Sequence, residues 1–501
     1  MSRNVLGHTV MFLQLWCLCA MSLAQEPASS LTPSTETTEQ RVQKLTDAVT
    51  KAQSQIDASQ RQIQQLQQEL VQLHEQIAKQ NALSPQPTET TMTADAVAKL
   101  TKDVEDLHER QAMQESQIAT LDQSKVESES KYPVKLSGLI LANGFTNTRR
   151  VDIPSSPTYA LSGPGSTGLS FRQTILGIDA RGPHLFGATT HADVRADFFG
   201  TGIQTSYSSG GLLRLRTAHA EMNWKDTALF VKLDRTILVP NAPSSLTATA
   251  QPPLAWAGNL WSWNPQLGIS HQVELSDTKR IKLQAALIDT EDPPALGSTS
   301  TTPPSNTSLA EQSRWPGTEA RVAYALGADG AGPEIGFGGY FSPHRIPNGT
   351  RFNAWAGTMD LYTPLPKHFE LSGSFYRGQA LGGLGGGGFK DYVYRPDTNT
   401  AQPLSNVGGW AQLKERLGER LEWNAAYGLD NVFASELRPY ALAGGTSYSS
   451  IARNKTFFAN FIFSPKAYLL FSIEYRHLYT APIIGSVWVS DVVGGAVGYK
   501  F

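Results

Sequence analysis

Apolar and polar residues alternate along most of the chain from Val134 onward, which is the period of a β-strand with two different faces. In 191–199 the polar residues stand at odd positions (His191, Asp193, Arg195 and Asp197) and the apolar residues Ala192, Val194, Ala196 and Phe198 stand at even positions. Similar alternation marks 279–288, 367–376, 420–430 and 467–476. Sixteen such runs follow one another to the end of the chain, so we predict a large antiparallel β-structure.

The gaps between these runs are alternately short and long. The short gaps are 182–189, 225–227, 276–278, 328–332, 364–366, 416–418 and 465–466. The long gaps are 146–168, 200–211, 238–263, 290–315, 343–350, 380–404, 431–451 and 480–486. Outer-membrane barrels have short periplasmic turns and long external loops, whereas a soluble β-sandwich shares only the alternation. We therefore predict an all-β transmembrane barrel of about 16 antiparallel strands over 131–501, with both of its ends in the periplasm.

The last run ends the chain on an aromatic residue, Phe501, which shares one face with Val493, Val497 and Tyr499. Such an end is typical of outer-membrane barrels, although a soluble β-protein can also end on phenylalanine. One run departs from the pattern: in 212–224 the apolar and polar faces exchange near Thr217. This exchange predicts a β-bulge or a misplaced strand boundary.

A different period governs the amino-terminal part. Apolar residues recur every seven positions at Val42, Val49, Ile56, Ile63, Leu70 and Ile77, with a second set offset by three. This heptad pattern predicts an α-helical coiled coil over 40–80 and, more weakly, over 96–128. An oligomerising stalk and a single amphipathic helix both fit, and the residue types do not decide between dimer and trimer.

Segments around the coiled coil complete the predicted domain organisation. Residues 1–24 resemble a secretory signal peptide, with an apolar core from Val10 to Ala20 and a cleavage site after Ala24. Residues 25–39 form a flexible segment, and the proline-containing 81–95 forms a linker. Both cysteines, Cys17 and Cys19, lie in the predicted signal peptide, so a mature chain would contain none.

Charge separates the two halves of the chain. Residues 25–130 contain 9 basic and 17 acidic residues (−8), whereas 131–501 contain 32 and 27 (+5). Mean hydropathy is −0.27, and no apolar run is long enough for a transmembrane helix.

No Lys/Arg-rich run points to nucleic acid. We predict no cofactor, no metal and no catalytic residue, because HExxH and GxSxG motifs are absent and the histidines lack ligand spacing. The GxGxxG match at Gly383, Gly385 and Gly388 precedes no helical pattern, so we interpret it as a flexible loop.

Charged positions on polar strand faces are the candidates for lining a pore, where they would select ions by sign and size. The candidates are Asp193, Arg195, Asp197, Arg214, Arg216, Lys232, Asp234, Lys282, Arg321 and Glu370. Arg214 and Arg216 belong to this set if the bulge turns them inward. The long gap 238–263, with four prolines and Trp256, Trp261 and Trp263, could fold inward and narrow the pore. An external cap or a subunit contact explains the same composition equally well.

Several short motifs resemble the DcaP-like family of outer-membrane porins. They are Lys135-Leu136-Ser137-Gly138, Ser170-Phe171-Arg172-Gln173-Thr174-Ile175-Leu176-Gly177-Ile178-Asp179, Arg181-Gly182-Pro183, Asp197-Phe198-Phe199-Gly200 and Leu213-Arg214-Leu215-Arg216-Thr217-Ala218. The resemblance is best over roughly 131–275. It implies a homotrimer in which a periplasmic coiled coil precedes the sixteen-stranded barrel in the sequence. It also implies passive uptake of small, often anionic solutes such as dicarboxylates.

The sequence thus favours a bacterial outer-membrane porin for passive diffusion of small hydrophilic solutes, with an anion preference consistent with the excess positive charge. Its expected partners are two further copies of the chain, outer-membrane lipid and lipopolysaccharide, with a contact to peptidoglycan left open. A structural anchor, whose coiled coil binds peptidoglycan or a protein, is the alternative. A membrane-embedded hydrolase would need a Ser/His/acid cluster near the lipid edge.

Overall fold

A computed structural model describes residues 133–200, 211–291, 307–327, 332–395, 400–436, 451–483 and 485–501. The predicted signal peptide, coiled coil and linker lie outside these residues. The first ten strands are β1 (Val134–Val151), β2 (Ala160–Ser170), β3 (Ile175–Arg181), β4 (Thr189–Gly200), β5 (Leu212–Asn223), β6 (Thr227–Asp234), β7 (Asn264–Ser276), β8 (Lys279–Ile288), β9 (Gly317–Leu326) and β10 (Glu334–Arg345).

The remaining strands are β11 (Arg351–Pro364), β12 (Phe369–Gln379), β13 (Tyr392–Arg395), β14 (Thr400–Pro403), β15 (Ser405–Arg416), β16 (Leu421–Val432), β17 (Ile451–Lys466), β18 (Leu469–Pro482) and β19 (Trp488–Lys500). Among the described residues, a short helix, α1 (Leu309–Ser313), and two 3-10 turns (Gly382–Leu384 and Gly387–Phe389) lie in the long loops. No helix in the described part of the chain is both long and apolar enough to cross a membrane.

The main sheet closes on itself because β1 pairs antiparallel with β19, from Leu139 opposite Lys500 to Asn147 opposite Val492. The closed sheet contains 17 strands, and β13 and β14 form a separate hairpin. Both β2 and β3 pair with β1, on its carboxyl-terminal and amino-terminal halves respectively. They are therefore two pieces of one barrel strand interrupted at 171–174, and the barrel has sixteen strand positions, as predicted.

The distribution of side chains across the wall is the reverse of that in a soluble protein. On β9, Val322 is 51% exposed on the outer face, whereas Glu319 and Arg321 are buried on the inner face. Val493, Val497, Tyr499 and Phe501 are likewise exposed on one face, as the alternation predicts. Closure of the sheet pairs the backbone N–H and C=O groups that would otherwise face lipid, and the apolar outer face suits contact with acyl chains. The barrel is therefore built to span a membrane.

The predicted alternation of short turns and long loops holds for most of the barrel, with shifted boundaries. The connections 346–350 and 483–487, predicted to be long, have only five residues each and are shorter than the turns 182–188 and 327–333. The first external loop covers 152–159 rather than 146–168, because the β1–β2 ladder continues to Val151 opposite Ala160. The small and polar residues of this hairpin suggested a loop, yet their backbone groups still complete the ladder. The third long loop begins at Arg235, since β6 ends at Asp234. We call 235–263 the inner loop.

The irregular strand is β5, where a bulge confirms the exchange of faces predicted near Thr217. Arg195 pairs with Thr217, and the next residue, Ala196, pairs with Leu215, so Arg216 has no partner across the ladder. The extra residue places Arg214 on the same inner face as His219, although their positions differ in parity, and each of them pairs with an aspartate of β4. The guanidinium groups of Arg214 and Arg216 lie over the ring of Trp263 from the inner loop, at 5.1 and 5.2 Å from the ring centroid.

Candidate functional site

The inner loop leaves β6 and crosses the inside of the barrel to the opposite wall. Ser244 donates its backbone N–H to Gln412 of β15 at 2.6 Å, and its carbonyl accepts from Asn460 of β17 at 2.9 Å. Farther along the loop, the hydroxyl of Thr247 donates to Glu474 of β18 at 2.7 Å. These partners lie on inner strand faces about half a turn of the barrel from β6. The inner loop therefore occupies the lumen and does not cap the outside.

Small residues on the wall opposite β6 allow the inner loop to pack closely against it. A Cβ atom added at Gly428 would lie 2.0 Å from the carbonyl oxygen of Ala257. Beside it, Leu254 packs against Trp410, Ala426 and Phe458. The loop is thus seated on its wall by direct backbone contact as well as by apolar packing.

Gln173, in the interruption between β2 and β3, holds the middle of the inner loop, at residues 247–250. Its side chain is 0% exposed. The amide nitrogen donates to the carbonyls of Ser155 and Thr247, both at 2.9 Å. The amide oxygen accepts backbone N–H bonds from Thr249 at 2.7 Å and Ala250 at 3.1 Å. Both donors and both acceptor sites of this side chain bind loop residues, one in the 152–159 loop and the others in the inner loop.

A second loop, 380–404, also packs inside the barrel. The carbonyl of Gly383 accepts from the side chain of Asn264, and the N–H of Gly388 donates to Asp430 at 2.9 Å. Lys390 is buried with its ammonium group on the carbonyls of Gly388 and Ile451, and this burial lowers the pKa of Lys390 to about 7. The interpretation of the glycine run as a flexible loop is wrong, because the glycines are buried in tight turns against the inner loop.

The inner face of β3–β6 carries charged side chains that remain partly accessible. Arg195 donates to Asp179 at 2.6 Å and lies 3.7 Å from Asp193. The imidazole of His219 lies between Asp193 and Asp234, at 3.0 and 3.2 Å. Side-chain exposures in this group run from 14% for Asp193 to 30% for Arg195. The inner loop packs against the strands of the far wall and leaves these charged side chains partly accessible.

Three arginines gather where the inner loop comes closest to β4 and β5. Arg214 forms an ion pair with Asp197 at 2.6 Å and donates to the loop carbonyl of Ala250 at 2.8 Å. Arg172 lies 4.4 Å from the ring centroid of Phe199, within electrostatic reach of Arg214 and Asp197. Arg216 completes the cluster. Three guanidinium groups beside one carboxylate leave a net charge of +2, and we call Arg172, Arg214 and Arg216 the arginine cluster.

The other predicted candidates fall into separate groups. Lys232 lies beside Asp234 on β6, within electrostatic reach of it. Lys282 and Arg321 share Glu334, at 3.0 and 2.7 Å, and Arg321 also pairs with the buried Asp360 at 2.6 Å.

Glu370 pairs with Arg416 at 2.8 Å near the periplasmic ends of β12 and β15. It lies at the mouth of the barrel, whereas the arginine cluster lies beside the inner loop. The candidates therefore divide between the mouth and the interior.

Sequence reasoning missed several functional neighbours. Asp179, Glu334 and Asp360 occupy inner positions that the alternation of their strands could have identified. Alternation does not identify Arg172 and Gln173 as inner residues, because they lie in an interruption between strands where the two-residue period is lost.

The fold is similar to that of solved outer-membrane proteins. The crystal structure of the outer membrane channel DcaP of Acinetobacter baumannii matches with a TM-score of 0.55 and 14% sequence identity, over 75% of this chain and 99% of that chain. An anion-selective porin from Comamonas acidovorans gives a TM-score of 0.46 and 12% identity, over 74% and 100% of the two chains. The sequence matches no family model and no curated protein. The predicted resemblance to DcaP-like porins is therefore confirmed for the fold.

Proposed function

We propose that this chain is an outer-membrane porin of the DcaP-like type, through which small hydrophilic solutes diffuse down their gradients. The observation that carries the proposal is the placement of the inner loop, which covers one wall and leaves a charged wall opposite it. A structural anchor would need no charged interior of this kind. Passive diffusion needs only a wetted path whose charges bias the permeating ions.

The arginine cluster supports a preference for anions. Its net positive charge lies at the point where the inner loop approaches β5, so an ion passing there would feel the cluster at short range. A low-dielectric wall strengthens that field. Arginine forks also match carboxylate groups in geometry, which favours small carboxylates as solutes. Assembly as a trimer and a periplasmic position for the amino-terminal coiled coil belong to the same proposal.

Planar-bilayer recording of the purified, folded protein tests this function. We expect discrete, ohmic conductance steps, grouped in threes if the trimer is correct. In a salt gradient, the reversal potential should have the sign of anion selectivity. A folded barrel that inserts into the bilayer and passes no current would contradict the porin and favour the anchor.

A further inference from the structure

Three basic side chains project outward from the outer face of the barrel, near its external rim. Arg377 lies two positions after Phe375 on β12, and Lys455 lies two positions before Phe457 on β17, with Arg453 two positions earlier. Phe375 and Phe457 are 53% and 39% exposed on the apolar outer surface. Because side chains of equal parity share a face, the three cations point toward the membrane and not into the lumen.

These cations lie above the apolar band, at the external ends of their strands. Arg377 is near the end of β12, which rises from a periplasmic turn, and Arg453 is near the start of β17, which descends from an external loop. Cross-strand partners connect them in one row, from Arg377 to Val407, Asn431 and Arg453. Three strand spacings separate the two arginines by about 14 Å.

Within the described part of the chain, none of the three cations forms an ion pair. The Nε atom of Arg453 donates to Asn431 Oδ1 at 2.7 Å, which leaves its two terminal nitrogens available. The ammonium group of Lys455 lies 5.2 Å from the ring centroid of Tyr479. The guanidinium of Arg377 lies 4.4 Å from the ring centroid of Phe433 and donates to the carbonyl of Asn406. The side chains are thus held in place by neutral groups, and no carboxylate among the described residues neutralises their charges.

A positive charge at the edge of a bilayer is stabilised when it pairs with an anion of the lipid headgroups. Arginine and lysine together offer a fork of donors and a point charge, the combination that suits phosphate. Below the cations, Phe375 and Phe457 present apolar surface to acyl chains. The site therefore matches an amphiphile with phosphate above and hydrocarbon below.

We propose that Arg377, Arg453 and Lys455 bind the phosphate groups of a phosphorylated glycolipid of the lipid A type in the outer leaflet. The width of the row accommodates two phosphates carried on one headgroup, which favours a bisphosphorylated glycolipid over a phospholipid with a single phosphate. The inference rests on the proposed location in the outer membrane, but it does not depend on the selectivity of the pore.

Native mass spectrometry of the full protein in detergent tests the site with bisphosphorylated lipid A, its dephosphorylated form and phosphatidylglycerol as probes. We expect lipid A to bind the wild type, and the double variant Arg453→Gln/Lys455→Gln to bind it at least about tenfold more weakly. The control Lys279→Gln removes an exposed cation at the periplasmic end of β8 and should bind like the wild type.

Equal lipid A binding by the wild type and the double variant would overturn the proposal. Equal binding of the dephosphorylated lipid or of phosphatidylglycerol would overturn it as well. Bilayer conductance of the same preparations separates this result from the porin function. The double variant should conduct like the wild type, and a silent wild type would refute the porin without changing the lipid result.

Discussion

Replacing Gln173 by leucine is expected to release the inner loop from the wall and to raise the single-channel conductance. The change removes five loop hydrogen bonds, four of them with backbone groups and one with the Thr249 hydroxyl. The carbonyl groups of Ser155 and Thr247 and the N–H groups of Thr249 and Ala250 lose that partner. Each buried group left unpaired costs about 1–3 kcal/mol. The loop should therefore fluctuate, and recordings should show larger and noisier open states.

The outward-facing Gln379 provides a matched control, because its amide makes one exposed contact, with the carbonyl of Asn353 at 3.0 Å. Gln379→Leu is the same chemical change and should leave conductance and current noise at the wild-type level. If Gln173→Leu, folded to the same extent, also conducted like the wild type, the inner loop would not define the width of the pore.

Arg216→Gln is expected to reduce anion selectivity while the barrel stays folded. Removing one positive charge raises the energy of a passing anion and lowers that of a passing cation, each by about 0.5 kcal/mol at a distance of about 8 Å in water. The two changes together are about 1 kcal/mol, which corresponds to roughly a fivefold fall in the anion-to-cation permeability ratio. Reversal potentials in a salt gradient measure this ratio. Arg216 is preferable to Arg214, because removing Arg214 would leave Asp197 buried without its ion-pair partner, at a cost of about 3–5 kcal/mol.

Arg351→Gln serves as the control for the change of total charge. Arg351 is exposed on the outer face at the external end of β11 and lies outside the lumen. Its removal should leave the reversal potential unchanged. An Arg216→Gln channel with the wild-type reversal potential would remove the arginine cluster from the selectivity mechanism.

The sequence predicts the barrel well because a membrane wall imposes one strict physical rule on every strand. Val322 must face lipid and Arg321 must face the interior, so alternation appears wherever a strand crosses. Even the bulge at Arg216 is visible, since an extra residue exchanges the faces in the sequence itself. Loop lengths then give the orientation without any tertiary information.

The interior could not be predicted in the same way. The prolines and tryptophans of 238–263 fit an inner loop and an external cap equally well, and contacts with residues over 200 positions away, such as Asn460 to Ser244, decide between them. The interruption that holds Gln173 is likewise a tertiary feature. Arg172 and Gln173 continue an otherwise ordinary strand sequence, and only the packing of the loops accounts for their inward position.

Cysteine modification during bilayer recording tests most directly whether water and ions pass between the inner loop and the charged inner face of β3–β6. The only native cysteines, Cys17 and Cys19, lie in the predicted signal peptide, so single cysteines can be introduced cleanly. A negatively charged, water-soluble methanethiosulfonate should reduce the current through Arg195→Cys. It should leave Ala426→Cys unaffected, because Ala426 lies beneath Leu254 of the loop. An unreactive cysteine at 195, or equal modification at 426, would contradict this path.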